Sequence, residues 1–218
     1  FTGSTGVGAK LYAQSAPSIK KLSLELGGNA PFIVFDDADI DAAVEGAIFS
    51  KFRNAGQTCV CTNRIYVQSA VYEAFVDRLG QKTAGLIVGN GLNADTQIGP
   101  LIDENALAKV DEHIADAIEQ GAQVVAGGKR IRGRFYAPTV LRDVTSSMLV
   151  AREETFGPLA PVIRFDTEDA AIAMAHDTEF GLAAYFYSRD LSRAWRVAER
   201  IEAGMIGTRQ MERVLSEA

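Results

Sequence analysis

The stretch from residue 31 to residue 68 decides the fold. It begins with Pro31-Phe-Ile-Val-Phe35, an apolar run typical of a buried parallel strand. Acidic residues at positions 36, 37 and 39 follow, and they suit the cap and first turn of a helix. We favour capping over metal binding because no regular ligand loop follows them. Arg64-Ile-Tyr-Val-Gln68 then predicts a second strand. The apolar face of the intervening helix consists of Ile40, Val44, Ala47 and Ile48.

The alternation of strand and helix continues on both sides of this stretch. Upstream, the segment Lys20–Leu26 alternates leucines with polar residues, which predicts a strand that ends at Gly27-Gly28. Downstream, Tyr136–Val144 contains Pro138, which predicts an edge strand or an irregular extension. The whole order predicts an open, largely parallel α/β sheet covered by helices. Further strands are predicted at 122–126, 159–165 and 182–187, and further helices at 9–15, 71–79, 107–118, 168–175 and 191–201.

Composition excludes several classes of function. The 218 residues carry a net charge of −6 without a basic block, so we expect no nucleic-acid partner. No apolar run reaches the about 18–20 residues that a membrane span needs, and no signal peptide is visible. The 2 cysteines favour a reducing, cytoplasmic setting. Because the chain starts at Phe1 rather than at Met, we expect a piece of a longer chain.

The 2 histidines offer little to catalysis at this stage. His113 and His176 both lie in helical patterns, so we expect surface or helix-end positions for them. A Cys-His dyad, a His-rich metal site and a catalytic triad therefore have little support. We predict no metal site.

Both cysteines lie in the stretch Phe52-Arg-Asn-Ala-Gly-Gln-Thr-Cys-Val-Cys61, which follows the predicted helix. A loop after a helix can hold a reactive group on a rigid support. From the residues alone, Cys59 could be a nucleophile, a metal ligand, half of a disulfide or a small buried residue.

Three other segments each allow a functional and a structural interpretation. The Gly/Ser/Thr-rich run Phe1–Gly8 precedes a helix, where it would bind a phosphate or simply cap the helix. Glu25 lies beside two glycines at a strand end, where it would belong to a site or be a solvated surface residue. Glu153 and Glu154 would form an acid–base pair, or end a helix before the Gly157-Pro158 stop.

Four separated segments together resemble the signature segments of the aldehyde dehydrogenase superfamily, in the same order along the chain. The interval from Glu25 to Cys59, 59 − 25 = 34 residues, also fits the family pattern. Within the superfamily, residues 51–64 are most similar to succinate-semialdehyde dehydrogenases, and the resemblance extends from residue 1 to about residue 207. The four segments are Phe-Thr-Gly-Ser-Thr (1–5), Leu-Glu-Leu-Gly-Gly-Asn-Ala-Pro (24–31), Phe-Arg-Asn-Ala-Gly-Gln-Thr-Cys (52–59) and Glu-Glu-Thr-Phe-Gly-Pro (153–158).

The resemblance implies a cysteine mechanism for the oxidation of succinate semialdehyde to succinate. It implies that Cys59 attacks the aldehyde to form a thiohemiacetal and then a thioester, with its backbone N–H in the oxyanion hole. It implies that Glu25 is the general base that activates water. Arg53 resembles the arginine that binds the carboxylate of the substrate. Cys61 resembles the partner of a reversible disulfide with Cys59 in related mitochondrial enzymes, and the alternative is a small buried cysteine without a redox role.

The resemblance also implies binding of NAD or NADP. Gly3 and Ser4 would face the pyrophosphate, Leu26 would lie by the nicotinamide, and Glu154 with Phe156 would hold the nicotinamide ribose. It further implies three parts: residues 1–27 as the C-terminal remnant of the cofactor-binding domain, 28–207 as the catalytic domain, and 208–218 as a charged tail that does not match and looks helical.

Several departures from the family pattern limit the expected activity. Family members carry a long segment before the position of Phe1 that builds most of the cofactor domain, and Val7 stands where many have Glu. We therefore expect little or no dehydrogenase activity from this chain alone. The resemblance also implies that full-length members are homo-oligomeric. Alternatives are a dehydrogenase for glutarate semialdehyde, a non-catalytic fragment, or a cofactor-independent cysteine hydrolase.

Overall fold

The computed structural model describes residues 1–208, so most of the predicted tail, 209–218, lies outside the described residues. One seven-stranded sheet has the order β3-β4-β5-β2-β1-β6-β7. Neighbouring strands are parallel except for the β3–β4 pair, which confirms the predicted open, largely parallel α/β sheet. The strands are β1 (Ala30–Val34), β2 (Thr62–Gln68), β3 (Gln123–Ala126), β4 (Thr139–Arg142), β5 (Leu159–Phe165), β6 (Ala183–Tyr187) and β7 (Met205–Thr208).

Helices alternate with these strands along most of the chain. Within the described residues, no helix is both long and apolar enough to cross a bilayer. The helices are α1 (Thr5–Ser15), α2 (Ile40–Phe52), α3 (Tyr72–Ala84), α4 (Glu104–Glu119), α5 (Leu149–Arg152), α6 (Glu168–His176) and α7 (Leu191–Arg200).

The β1–α2–β2 unit forms as the sequence predicts. Strand β1 is buried along its whole length, as expected for an apolar run at the centre of a parallel sheet. Asp39 caps α2, because its side chain accepts a hydrogen bond from the backbone N–H of Ala42. Asp37 has a different role: its carboxylate accepts from Ser188 and from two backbone N–H groups that precede α7. None of these contacts requires a metal.

Two strand predictions were wrong in detail. The segment Lys20–Leu26 is extended but makes only an isolated bridge, between Thr2 and Glu25. Within the described residues, its backbone pairs only with Phe1 and Gly3 of the short N-terminal segment, through Ser23 and Glu25, which gives too few partners for a ladder. Strand β4 is not an edge strand, since it lies between β3 and β5. Pro138 comes just before the first residue of β4, so its missing N–H removes no ladder hydrogen bond.

Candidate active site

The cysteine loop leaves α2 through a tight turn in the left-handed region. Asn54, Ala55 and Gly56 have φ values of 52°, 55° and 74°. Ala55 is buried, and a Cβ on Gly56 would lie 2.1 Å from the carbonyl oxygen of Gly157. Glycine is therefore required at position 56 both by its backbone angle and by the close approach of a second chain segment.

The base of the loop is closed by side chains of α2 and β2. The ammonium of Lys51 is fully buried, 2.8 Å from Asn63 Oδ1 and 3.4 Å from Cys61 Sγ. Ser50 and Thr62, the sequence neighbours of Lys51 and Cys61, are also in contact, and their hydroxyl oxygens lie 2.5 Å apart. These contacts join the end of the helix to the start of the strand, so the loop that carries Cys59 is anchored on both sides.

Gln57 connects the loop to a third part of the chain. Its side-chain amide donates to the carbonyl of Pro100, 3.3 Å away, and its Oε1 accepts from the N–H of Ile102 at 2.9 Å. Gln57 was not among the predicted site residues, although it lies inside the cysteine stretch 52–61. A glutamine amide that bonds two backbone groups fixes the loop directly before Thr58 and Cys59.

A cavity of about 500 Å³ opens in front of Cys59. Cys59 is partly exposed, and Glu25 lines the same cavity although the two residues are distant in sequence. Four further lining residues were not predicted, and each lies within two positions of a predicted one. The predicted residues that line the cavity are Gly3, Ser4, Glu25, Leu26, Cys59, Glu154 and Phe156, and the missed ones are Thr2, Gly27, Gln57 and Thr58.

The structure separates the two neighbouring glutamates. Glu154 lines the cavity, and its Oε1 accepts a hydrogen bond of 3.0 Å from the N–H of Gly28. Burial raises the pKa of the Glu154 carboxyl, while the Gly28 hydrogen bond and the charges of Lys109 and Lys51 oppose that shift. Glu153 instead lies outside the cavity lining, 3.6 Å from the ammonium of Lys109. The two carboxyls therefore do not line the same cavity.

Gly28 joins Glu154 to the cysteine loop. A Cβ on Gly28 would lie 2.1 Å from the carbonyl oxygen of Cys59, so the two backbones touch. The next residue, Asn29, is held by Arg64, whose buried guanidinium donates to the Asn29 carbonyl at 2.9 Å. Arg64 also donates to the carbonyls of Met174 and Ala175 at the end of α6. The charge of Arg64 thus binds the negative end of a helix.

A second cavity, of about 460 Å³, lies on the other side of the cysteine loop and contains Arg53. Its lining includes Val60, the residue after Cys59, whose carbonyl accepts a 2.8 Å hydrogen bond from Tyr185. Burial raises the pKa of the Tyr185 hydroxyl. The Arg53 guanidinium lies 5.6 Å from the centre of the Phe49 ring. Arg53 therefore does not line the Cys59 cavity, and the two cavities flank residues 59 and 60.

Both cysteines are free thiols, and they differ in exposure. Cys59 is partly exposed, whereas Cys61 is only 3% exposed and contacts Lys51. Cys61 is therefore packed behind the loop rather than in the cavity lining.

The expectation that His113 lies at the surface was wrong. Its imidazole is 1% exposed on the inner face of α4, and Nδ1 lies 3.1 Å from Thr155 Oγ1. The helical pattern was correct, but the apolar face of α4 includes this polar ring. His176, in contrast, is partly exposed at the C-terminus of α6, as expected.

The fold and site together define a largely parallel α/β domain with a cysteine held in a cavity just before the central strand β2. The chain belongs to the aldehyde dehydrogenase family, whose profile, described as "Aldehyde dehydrogenase family", matches residues 1–217.

Several proteins of this family are similar to the chain. It is 64% identical over 209 residues to glutarate-semialdehyde dehydrogenase of Pseudomonas aeruginosa. It is 63% identical over 209 residues to the succinate-semialdehyde dehydrogenase [NADP(+)] GabD of Escherichia coli. In each case the alignment covers 95% of this chain but only 43% of the relative. A crystal structure of succinate-semialdehyde dehydrogenase from Burkholderia pseudomallei superimposes with a TM-score of 0.94 at 61% identity, covering 95% of this chain and 44% of that one.

Proposed function

We propose that the chain forms the thiol-bearing part of an NAD- or NADP-dependent aldehyde dehydrogenase that oxidises succinate semialdehyde to succinate. One observation carries this proposal: predicted site residues from four separate segments all line the same cavity, the one of about 500 Å³ at Cys59. A cavity of this size, with a thiol and two carboxylates among its lining residues, is suited to a small polar ligand.

Cys59 is the proposed nucleophile. Its partly exposed thiol would attack the aldehyde carbon as the thiolate, and the carbonyl oxygen would become the oxyanion of a thiohemiacetal. The backbone N–H of Cys59 would donate to that oxyanion. Once a thioester has formed, the Glu25 carboxylate would take a proton from the water that hydrolyses it.

The residues around the cavity fit a dinucleotide. Ser4 is the N-cap of α1 but makes no side-chain cap hydrogen bond, so the hydroxyl and the helix N-terminus are available to a pyrophosphate. Glu154 uses Oε1 for Gly28, and Oε2 would accept from a ribose hydroxyl. Leu26 and Phe156 would contact the nicotinamide ring and its ribose. When bound, NAD or NADP supplies the acceptor for the aldehyde hydride.

The second cavity would hold the far end of the substrate. The substrates named for three relatives are succinate semialdehyde, glutarate semialdehyde and 3-sulfolactaldehyde, and each carries an acidic group. The guanidinium of Arg53 would bind such a group, since its planar fork matches a carboxylate or sulfonate. Val60 lines this cavity, and Cys59 lines the other. The substrate would therefore extend from one cavity into the other past the Cys59 thiol.

Glutarate semialdehyde is the second candidate substrate. The relatives named for it are 64% and 63% identical to this chain, no less similar than the succinate-semialdehyde enzyme at 63%. The two substrates differ by one methylene, which is worth about 1–3 kcal/mol in a fitted pocket.

The proposed function is tested by reduction of NADP⁺ at 340 nm. The chain alone should show little or no rate with succinate semialdehyde. A chimera in which residues 1–208 replace the matching segment of the E. coli enzyme should be active, and Cys59→Ala should abolish the rate while Cys61→Ala retains it. Arg53→Ala should raise the KM for both semialdehydes but not for a neutral aldehyde. An active Cys59→Ala chimera would disprove the assignment.

We further propose that Cys59 and Cys61 form a reversible disulfide under oxidising conditions. Peroxide would oxidise the more exposed Cys59 to a sulfenic acid, and the Cys61 thiol would displace water to form the S–S bond. Intact mass should fall by about 2 Da and return with thiol. If Cys61→Ala were inactivated by peroxide and restored by thiol just as the parent chimera is, no pairing would be involved.

A further inference from the structure

The amine of Lys51 is buried without a carboxylate beside it. Its side chain is fully buried in the last turn of α2. Within residues 1–208, Nζ forms no ion pair and makes two polar contacts, at 2.8 Å with Asn63 Oδ1 and at 3.4 Å with Cys61 Sγ. A fully buried lysine is normally paired with a carboxylate, because removal of its charge from water is costly. An ion pair therefore does not explain the position of Lys51.

The thiol of Cys61 is enclosed at the same place. Cys61 is 3% exposed, and its Sγ lies 3.5 Å from the Lys51 carbonyl oxygen and 3.4 Å from that of Thr62. Lys51 belongs to α2, whereas Cys61 comes just before β2, 10 residues further along the chain. The fold thus holds a primary amine against a thiol in a buried site.

We propose that Lys51 and Cys61 form a covalent cross-link through an S–N bond when Cys61 is oxidised. Peroxide first converts the thiol to a sulfenic acid, and its second oxygen leaves as water. The unprotonated Lys51 amine then attacks Sγ, and the S–O bond breaks. The hydroxyl departs as a second water with one proton from the nitrogen. The sulfur loses two electrons, which the peroxide gains. Sulfenic acids condense with nitrogen nucleophiles in this way.

The geometry allows the bond to form without a change of the fold. The flexible four-carbon stem of Lys51 can bring Nζ closer to Sγ while the backbone stays in place. The product keeps one N–H on Nζ, which can still donate to Asn63 Oδ1. Ser50 and Val60, the sequence neighbours of Lys51 and Cys61, line the cavity of about 460 Å³. An oxidant of the size of water therefore comes within one residue of the pair.

The cross-link would protect Cys61 in a reversible form. A sulfenic acid that has condensed with an amine is no longer open to further oxidation to the irreversible sulfinic acid. An added thiol attacks the sulfur, regenerates the amine and restores the Cys61 thiol. The bond uses the same sulfur as the disulfide proposed above, so the two are alternative states of Cys61. The cross-link does not rest on the proposed dehydrogenase function.

Peptide mapping of the 218-residue Cys59→Ala variant tests the proposal, because Cys61 is then the single thiol and no internal disulfide can form. After peroxide treatment and digestion by trypsin without reductant, most of the oxidised Cys61 should be found in peptide 54–64 joined to peptide 22–53, which is uncleaved after Lys51. The joined mass should lie about 2 Da below the sum of the two peptides, and thiol should separate them. Neither peptide contains methionine, so methionine oxidation does not obscure the result.

Lys51→Met in the same background should give no joined peptide, and peptide 54–64 should instead gain about 32 Da as the sulfinic acid. Lys82→Met is the matched control: it removes a half-exposed lysine of α3 and should keep the cross-link.

Three results in the Cys59→Ala variant would overturn the proposal. The first is an oxidised or unchanged peptide 54–64 that is not joined to another peptide. The second is a loss of about 2 Da within peptide 54–64 alone, which would mean a bond to a backbone nitrogen. The third is a joined mass about 14 Da above the sum, which would place an oxygen between sulfur and nitrogen. If Lys51→Met does not fold, this map decides by itself. Failure of the dehydrogenase assay would leave all these masses unchanged.

Discussion

Replacing Gly28 by alanine should distort the site through backbone contact alone. The new Cβ would lie 2.1 Å from the carbonyl oxygen of Cys59, where ordinary contact begins at 3.4 Å. The shortfall is 3.4 − 2.1 = 1.3 Å. Because the obstructing atom belongs to the backbone, no side-chain rotation can relieve the contact. Either the cysteine loop or the Gly28 segment must shift.

Both segments resist such a shift. The loop is held by the 3.1 Å bond from Cys61 N–H to the Thr58 carbonyl and by the 2.8 Å bond from Tyr185 to the Val60 carbonyl. The other segment is held by the 3.0 Å bond from Gly28 to Glu154. Overpacking of this kind costs about 1–3 kcal/mol, and loss of one of these hydrogen bonds adds about 1 kcal/mol. We therefore expect Gly28→Ala to lose about 2–4 kcal/mol of unfolding free energy.

Urea unfolding measures this loss, and alkylation of Cys59 by iodoacetamide in a Cys61→Ala background reports the position of the thiol. The alkylation rate should change by about tenfold or more, since a displacement near 1 Å commonly alters reactivity that much. Gly6→Ala is the control: a Cβ there meets nothing within 4 Å, so its stability should stay within about 0.5 kcal/mol of the parent. If Gly28→Ala matched Gly6→Ala in both measurements, the contact would not constrain the loop.

Three further predictions concern the supports of the site. Arg64→Met leaves the carbonyls of Asn29, Met174 and Ala175 without a buried donor, and urea unfolding should show a loss of about 2–4 kcal/mol; less than about 1 kcal/mol would contradict this role. Burial raises the pKa of Glu154 in the folded state above its ordinary value of 4.5. The stability of wild type relative to Glu154→Gln should therefore increase as the pH falls through this raised pKa. Parallel curves of unfolding free energy against pH between about pH 7 and 4 would refute it. Lys51→Met removes the buried donor to Asn63 Oδ1, so its thermal stability should fall by about 1–3 kcal/mol, and a smaller loss would show that the ammonium contributes little to the fold.

The central part of the fold could be predicted because its signals are local. An apolar run followed by capping acids and an amphipathic pattern specifies β1, the start of α2 and β2 without information from elsewhere in the chain. The strand predicted at Lys20–Leu26 failed because alternation records only which faces are apolar. Whether a ladder forms depends on neighbouring strands, and Thr2 supplies only one bridge. Strand β7 was missed for a related reason, since its four residues, Met205–Thr208, are too few for a periodic pattern.

The site residues could be predicted only through the family resemblance, and their spatial relations could not. The local sequence around Glu25 favoured a solvated surface residue over a site residue. The fold brings Glu25 to the cavity that Cys59 lines. The burial of His113 was not predictable from α4 alone, because its partner Thr155 lies 42 residues away in the sequence. Side chains satisfied by distant partners carry no local signature.

The site is built chiefly from backbone contacts, and this explains where its glycines lie. Gly28 touches the carbonyl of Cys59 from one side, and Gly56 touches the carbonyl of Gly157 from the other. The cysteine loop is thus held between a segment that precedes β1 and residues 153–157, which precede β5. Side chains that line the cavity can change with limited effect on these contacts, whereas a methyl group at either glycine must separate two backbones. It follows that the position of the Cys59 thiol is set by close backbone packing, and that the lining side chains determine mainly what binds in front of it.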